Sequence, residues 1–246
     1  NMKRIKLTVA YDGTDYCGWQ IQNNGPTVEG ELNRALSELT GERIVVIGAS
    51  RTDAGVHGRG NVAVFDTDSP IPPDRIAYAL NGKLPEDVVV VKSEEVRPDW
   101  HPRRCDSVKT YEYRILNQEM PDPVRRRDTW HVSFPLDVDR MREAAEYLKG
   151  EHDFKSFCSA QSEVENTVRT IYDLTIEREE NLITITVRGN GFLYNMVRII
   201  AGTLMGAGRG AYPPERVKEM LEAKEREKAG MTAPPQGLTL VGIEWQ

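Results

Sequence analysis

The sequence predicts a mixed α/β (α+β) protein of two halves, each running β-α-β-β-α-β, with mainly antiparallel sheets. Three observations carry that prediction. Apolar residues alternate with a period of two in several short stretches and recur at helical spacing in others, and the two kinds follow one another in the same order twice. A length of 246 residues suits one large domain or two small ones. Hydrophobic residues at 39% and charged residues at 28% are enough to build a core and argue against disorder.

In the first half, Ile5, Leu7 and Val9 mark one face of a strand over 4–10. Thr27 caps a helix whose stripe is Val28, Leu32, Leu36 and Leu39, and Gly41 ends it. Strands over 43–49 and 61–66 follow, separated by the polar, glycine-bearing loop 50–60. Pro72 and Pro73 open a short helix through Ile76, Ala79 and Leu80 that stops at Gly82. The valine run 88–91 reads as a buried strand.

The second half begins with a strand over 108–116, which places Lys109, Tyr111, Tyr113 and Ile115 on one face. A helix over 137–149 carries Met141, Ala144, Ala145 and Leu148 at helical spacing. Strands over 171–177 and 182–188 flank a turn. A strongly apolar helix covers 192–204, another runs from Pro213 and Pro214 to near Lys224, and a strand over 240–245 closes the chain. The halves divide as 1–105 and 106–246. Their order suggests a duplicated ferredoxin- or RRM-like architecture with a central cleft where the halves meet. The repeat is one of topology, not of sequence.

Charge and rare residues narrow the function classes. Lys and Arg number 32 against 38 Asp and Glu, a net −6, which disfavours a surface that binds nucleic acid everywhere. A local basic groove is still open. Arginines bunch at Arg97, Arg103 and Arg104, and again at Arg125, Arg126 and Arg127, as they also do in plain solvated loops. No apolar run reaches the roughly 18 residues of a membrane span, and no signal-peptide core is present. Asn1 ahead of Met2 reads as a residue left over from cloning. Cys17, Cys105 and Cys158 stand apart and the histidines are scattered, so neither a disulfide framework nor a metal cluster is expected. The chain reads as reduced, soluble and cytoplasmic, without a metal.

Three places could carry chemistry. The loop 50–60 sets Asp53 among tight-turn residues, with Arg51 two positions before it. It exceeds the two to five residues a plain hairpin needs, and long ordered loops on rigid sheets tend to carry function. Its other reading is a turn in which Asp53 only accepts backbone hydrogen bonds. On the helix 192–204, Arg198 stands opposite a broad apolar face, beside Tyr194, Ala201 and Gly202. It is either partly enclosed and in want of a carboxylate, or a rim arginine with its head in water. Tyr111, between Lys109 and Tyr113, suits the stacking of an unpaired base, or is ordinary core. The glycines of 206–210 follow a helix rather than a strand and lack the context of a phosphate loop.

Along nearly its whole length the chain resembles the TruA-type tRNA pseudouridine synthases. The resemblance rests on YDGTDYCGWQ (11–20), RTDAGVH (51–57), the stretch 101–103, KTYEYR (109–114), GEHDFKSF (150–157), GFLYNMVR (191–198) and APPQGLTL (233–240). Ser50 departs from the glycine that many members carry before the arginine. The resemblance implies two α/β halves whose sheets join around a central cleft, a homodimer, tRNA as partner, and no metal or organic cofactor. It implies Asp53 as the catalytic aspartate, Tyr111 as the residue stacking on the target base, and Arg198 as the partner of Asp53. Arg51 is then an RNA-contacting and flipping residue, and Leu238 lines the uracil pocket. The target uridines would lie in the tRNA anticodon stem-loop, at about positions 38 to 40, and would have to flip out of the helix to react.

The chemistry accounts for those residue types. The C1′–N1 bond breaks, the detached uracil turns, and C1′ joins C5. A carboxylate serves as nucleophile toward sugar or base, or takes a proton from the ribose, and the sequence leaves the three routes open. An arginine keeps that carboxylate ionised where water is scarce. Two rivals remain. A nucleosidase would need a second carboxylate to act on water, and the loop offers none. A non-catalytic tRNA-binding or remodelling protein of the same fold would have no use for Asp53.

Overall fold

In the computed structural model, which describes the whole chain Asn1–Gln246, alternation in the first strand, β1 (Lys3–Tyr11), is complete. Ile5, Leu7, Val9 and Tyr11 are buried and the residues between them only partly so. The first helix, α1 (Val28–Thr40), starts where the Thr27 hydroxyl accepts from the Gly30 N–H at 3.1 Å and ends at Gly41, in the left-handed region at φ 71°. Both caps satisfy backbone groups that a helix end leaves orphaned. Thr27→Ala should therefore cost about 1 kcal/mol, seen as a lower urea midpoint with an unchanged m value.

The next strand is much shorter than its sequence suggests. β2 spans only Ile47–Gly48, and β3 spans His57–Thr67, so the intervening loop shrinks to 49–56. Side chains of α1 do the work a strand partner would do: Ser37 Oγ accepts from the Ile44 N–H at 3.0 Å and Asn33 Oδ1 from the Val46 N–H at 2.9 Å. A 3-10 turn, Pro73–Arg75, leads into α2 (Ile76–Asn81). β4 (Val88–Val96) outgrows the valine run and is not fully buried. Val88 and Val90 face the core, whereas Val89 and Val91 are 40% and 56% exposed, because β4 is an edge strand paired only with β1.

These elements make up one unit, Asn1–Asp106 together with Leu240–Gln246. β1 lies between β4 and β3, antiparallel to both. Its core packs Leu32 and Leu36 of α1 and Ile76 and Leu80 of α2 with Ile5, Leu7 and Val9 of the sheet.

The other unit is Ser107–Thr239. It runs through β5 (Ser107–Asn117), β6 (Trp130–Val132), α3 (Val138–Glu146), β7 (Gly150–Asp153), β8 (Val168–Glu179), β9 (Leu182–Gly189), α4 (Met196–Gly208) and α5 (Arg216–Ala223). The closing strand, β10 (Leu238–Trp245), begins in this unit and passes into the first at Leu240. Within the unit the order is β5-β9-β8-β7, antiparallel throughout, with β6 parallel beside β5. β6 and β7 are additions to the expected order, with 3 and 4 residues, too short for a period to show.

The apolar helix starts later than the sequence suggests. Residues 192–195 stay outside it, and Asn195 begins α4 from the left-handed region at φ 62°. Asparagine tolerates that conformation better than most residues. Every residue of α4 is buried except Arg198.

Candidate active site

The loop that carries Asp53 is fixed from below by polar groups of the first unit's core. Thr52, just before it, is buried, with Oγ1 2.7 Å from the Tyr11 hydroxyl. The Thr52 carbonyl accepts from the Trp19 N–H at 3.0 Å. The Asn61 amide donates to the Tyr11 hydroxyl at 3.2 Å and to the Ser50 carbonyl at 2.9 Å. Past the turn, the Val56 N–H donates to the Asp53 carbonyl at 3.0 Å and Gly55 sits at φ 81°. The Gly13 N–H donates to His57 Nδ1 at 2.9 Å. The stretches 11–20 and 51–57, far apart in sequence, are thus one interlocked piece. It presents a half-buried Asp53 beside an exposed Arg51.

Gly18 is where that interlock is tightest. It lies at φ 90°, and a Cβ there would stand 2.8 Å from the Thr52 carbonyl oxygen. Gly18→Ala should cost about 1–3 kcal/mol in urea denaturation, and it should slow turnover because the strain is delivered to the residue next to Asp53.

In the second unit, Tyr111 and Tyr113 share one face of β5. The Tyr111 ring is 9% exposed and meets Phe192 edge-on, with centroids 5.3 Å apart at 88°. Residue 192, released from the helix, is what braces this ring. Tyr113 is fully buried and donates to the Pro234 carbonyl at 2.6 Å. Burial pushes its phenol well above the usual range, against an opposing pull from Arg198, so it stays a neutral donor. Gly237 lies so close to the Tyr113 ring that a Cβ would be 2.6 Å from Cζ.

Arg198 is gripped by its own unit. Its Nε donates to the Ala233 carbonyl at 2.8 Å and its Nη1 to Asn195 Oδ1 at 3.1 Å. The Ala233 N–H donates back to the Arg198 carbonyl at 3.0 Å. The small residues beside Arg198 have a reason: the Gly202 α-carbon is pressed against the Met231 carbonyl, so the segment 230–233 can close over this side of α4. Leu238, 7% exposed, follows Gly237 at the start of β10. The structure thus gathers Arg198, Tyr113 and the segment 233–238, with Tyr111 beside Tyr113 on its strand. Asp53 and Arg51 belong to the first unit.

Of the supporting residues, Tyr11, Tyr113 and Asn195 lie within the stretches 11–20, 109–114 and 191–198, whereas Asn61 carries no sequence signal of its own. No group of three His, Cys, Asp or Glu side chains is placed to hold a metal ion, and the three cysteines are free. No helix is long and apolar enough to cross a membrane.

Comparison with known proteins identifies the family. A family model described as tRNA pseudouridine synthase matches residues 7–103 and 144–246. Asp53, Arg51, Arg198 and Leu238 fall inside the match, and Tyr111 between its two parts. The tRNA pseudouridine synthase A of Brevibacillus brevis is 52% identical over 239 residues, covering 97% of this chain and 98% of that one. Those of Thermoanaerobacter sp. and Moorella thermoacetica are 48% and 47% identical, with 98% and 99% of this chain and 99% and 100% of theirs covered. A solved H/ACA RNP bound to a substrate RNA containing 2′-deoxyuridine is similar only at a TM-score of 0.37 and 12% identity, over 82% of this chain and 44% of that one. On the family match and these relatives, the chain belongs to the tRNA pseudouridine synthase family.

Proposed function

We infer that this chain is an isomerase that converts uridine to pseudouridine in tRNA. The observation that carries the reading is the carboxylate of Asp53, set in a loop whose backbone is locked on both sides. A plain RNA-binding surface gains nothing from a half-buried carboxylate facing polyanionic RNA, whereas bond cleavage at C1′ does. The reaction balances without a co-reactant. The C1′–N1 bond breaks, a C1′–C5 bond forms, the C5 hydrogen leaves to solvent, and N1 gains one.

The finer assignments belong to the same reading. Asp53 acts on a uridine of the anticodon stem-loop, at about positions 38 to 40, after the nucleotide has flipped out of the helix. Tyr111 stacks on the target base, Leu238 lines its pocket, Arg198 keeps Asp53 ionised, and Arg51 contacts the RNA. The gripped guanidinium of Arg198 supports its part, since a side chain already ordered loses little freedom on pairing. The enzyme works in the cytoplasm, without metal or organic cofactor, as a homodimer that shares one tRNA across both protomers. Sedimentation at working concentration should show the dimer, and a fully active monomer would exclude the shared arrangement.

The deciding experiment uses tRNA transcript tritiated at C5 of uridine. Release of tritium with retained RNA length is expected. Release of free uracil would instead show hydrolysis, and binding without release would show a non-catalytic tRNA-binding protein.

A further inference from the structure

Of the arginines in the two bunches, only Arg104 has a guanidinium that the chain itself gives no partner. Arg125 pairs with Asp128 at 3.2 Å, and Arg126 donates to the Pro123 carbonyl at 2.7 Å. In the first bunch, Arg97 has Asp99 at 3.7 Å. Arg103 and Arg104 are exposed and have no carboxylate partner within the chain.

These two arginines are not on a loose loop. The segment after β4 is fastened across the first unit's sheet. The Trp100 carbonyl accepts from Arg4 Nη1 at 2.7 Å, and the Pro102 carbonyl from Trp245 Nε1 at 3.1 Å. Trp100 and Trp245 meet edge-on with centroids 5.0 Å apart, and Lys6 Nζ lies over both rings, 5.3 Å from the centroid of Trp100 and 4.8 Å from that of Trp245. Arg103 Nη1 donates to the Gly48 carbonyl at 2.9 Å, immediately before the loop 49–56 that bears Arg51 and Asp53. His101 Nδ1 accepts from the Arg103 N–H at 3.1 Å. Burial, then Arg104, Arg103 and Arg4, hold its imidazole below the usual value, so the cluster gathers guanidinium charge around a neutral ring. In a chain of net charge −6, neighbouring cations left without a counter-ion repel one another until an anion arrives.

We propose that Arg103 and Arg104, held on this fastened strap at the root of the Asp53 loop, form a contact surface for the phosphodiester backbone of the substrate RNA. The surface reads charge and not sequence, because guanidinium groups meet phosphates in any sequence. It deepens the tRNA reading above and rests on it.

Arg104 gives the clean test, since Arg103 also holds Gly48. Binding of tRNA transcript is measured from 0.05 to 0.3 M NaCl for the unchanged protein, Arg104→Gln, Arg104→Lys and Arg126→Gln. The slope of log K against log salt should shrink by about 1 in Arg104→Gln, with Kd raised roughly three- to tenfold at low salt and kcat/KM lowered in step. Arg104→Lys should restore the slope, and Arg126→Gln should leave it alone. An unchanged slope in Arg104→Gln overturns the assignment, as does an equal change in Arg126→Gln, which would mean that any surface charge counts. Tritium release by the unchanged protein is scored in the same samples, and its absence would sink the isomerase reading instead.

Discussion

Asp53→Asn should abolish tritium release while the protein still folds and still binds tRNA. The substitution nearly preserves shape, so the backbone holds at Thr52, Ser50 and Val56 are untouched. What it removes is the charge that can attack carbon or accept a proton. Loss of such a group costs at least about 100- to 10,000-fold in turnover. A variant that retained wild-type release would show the chemistry to lie elsewhere and Asp53 to be a turn residue.

The second large effect is expected at Tyr111, where two substitutions separate ring from hydroxyl. Base–aromatic stacking is worth about 1–3 kcal/mol, so Tyr111→Leu should lose about 5- to 150-fold in tRNA affinity and turnover together. Tyr111→Phe keeps the ring and its edge-on contact with Phe192, and should bind tRNA near normally. If the hydroxyl also moves the C5 proton, Tyr111→Phe will stall after bond cleavage and leave a trapped complex with little product. The edge-on packing gives Tyr111→Leu a structural cost as well, so its urea midpoint should be measured beside its activity. If neither variant changed affinity or turnover, Tyr111 would be a core strand residue and nothing more.

What the sequence could show follows from how local each signal is. The helix from Thr27 to Gly41 was legible to the residue because its caps are short-range hydrogen bonds written in neighbouring residues. The strand expected over 43–49 shrinks to two residues because Asn33 and Ser37, 13 and 7 residues before their partners Val46 and Ile44, supply the hydrogen bonds from a helix. Such long-range side-chain substitution leaves no periodicity. The valines of β4 look alike in sequence, yet an edge strand buries only alternate ones. At the site, loop length marks Asp53 in the sequence, and isolation on an apolar helix marks Arg198. Asn61 and Asn195, which tie those regions down, read as ordinary polar residues until their partners are known.

The path of β10 has a consequence for the birth of the protein. The first unit is completed by residues 240–246, so Trp245 reaches Pro102 across 143 residues of chain. During synthesis, the nascent first unit must wait with the β3 edge and the Lys6–Trp100 side of its sheet uncovered until the last strand is made. Contacts of such long range slow folding, and an open strand edge invites pairing with another chain. The strap and the loop it anchors therefore reach their final packing only after the second unit has been translated.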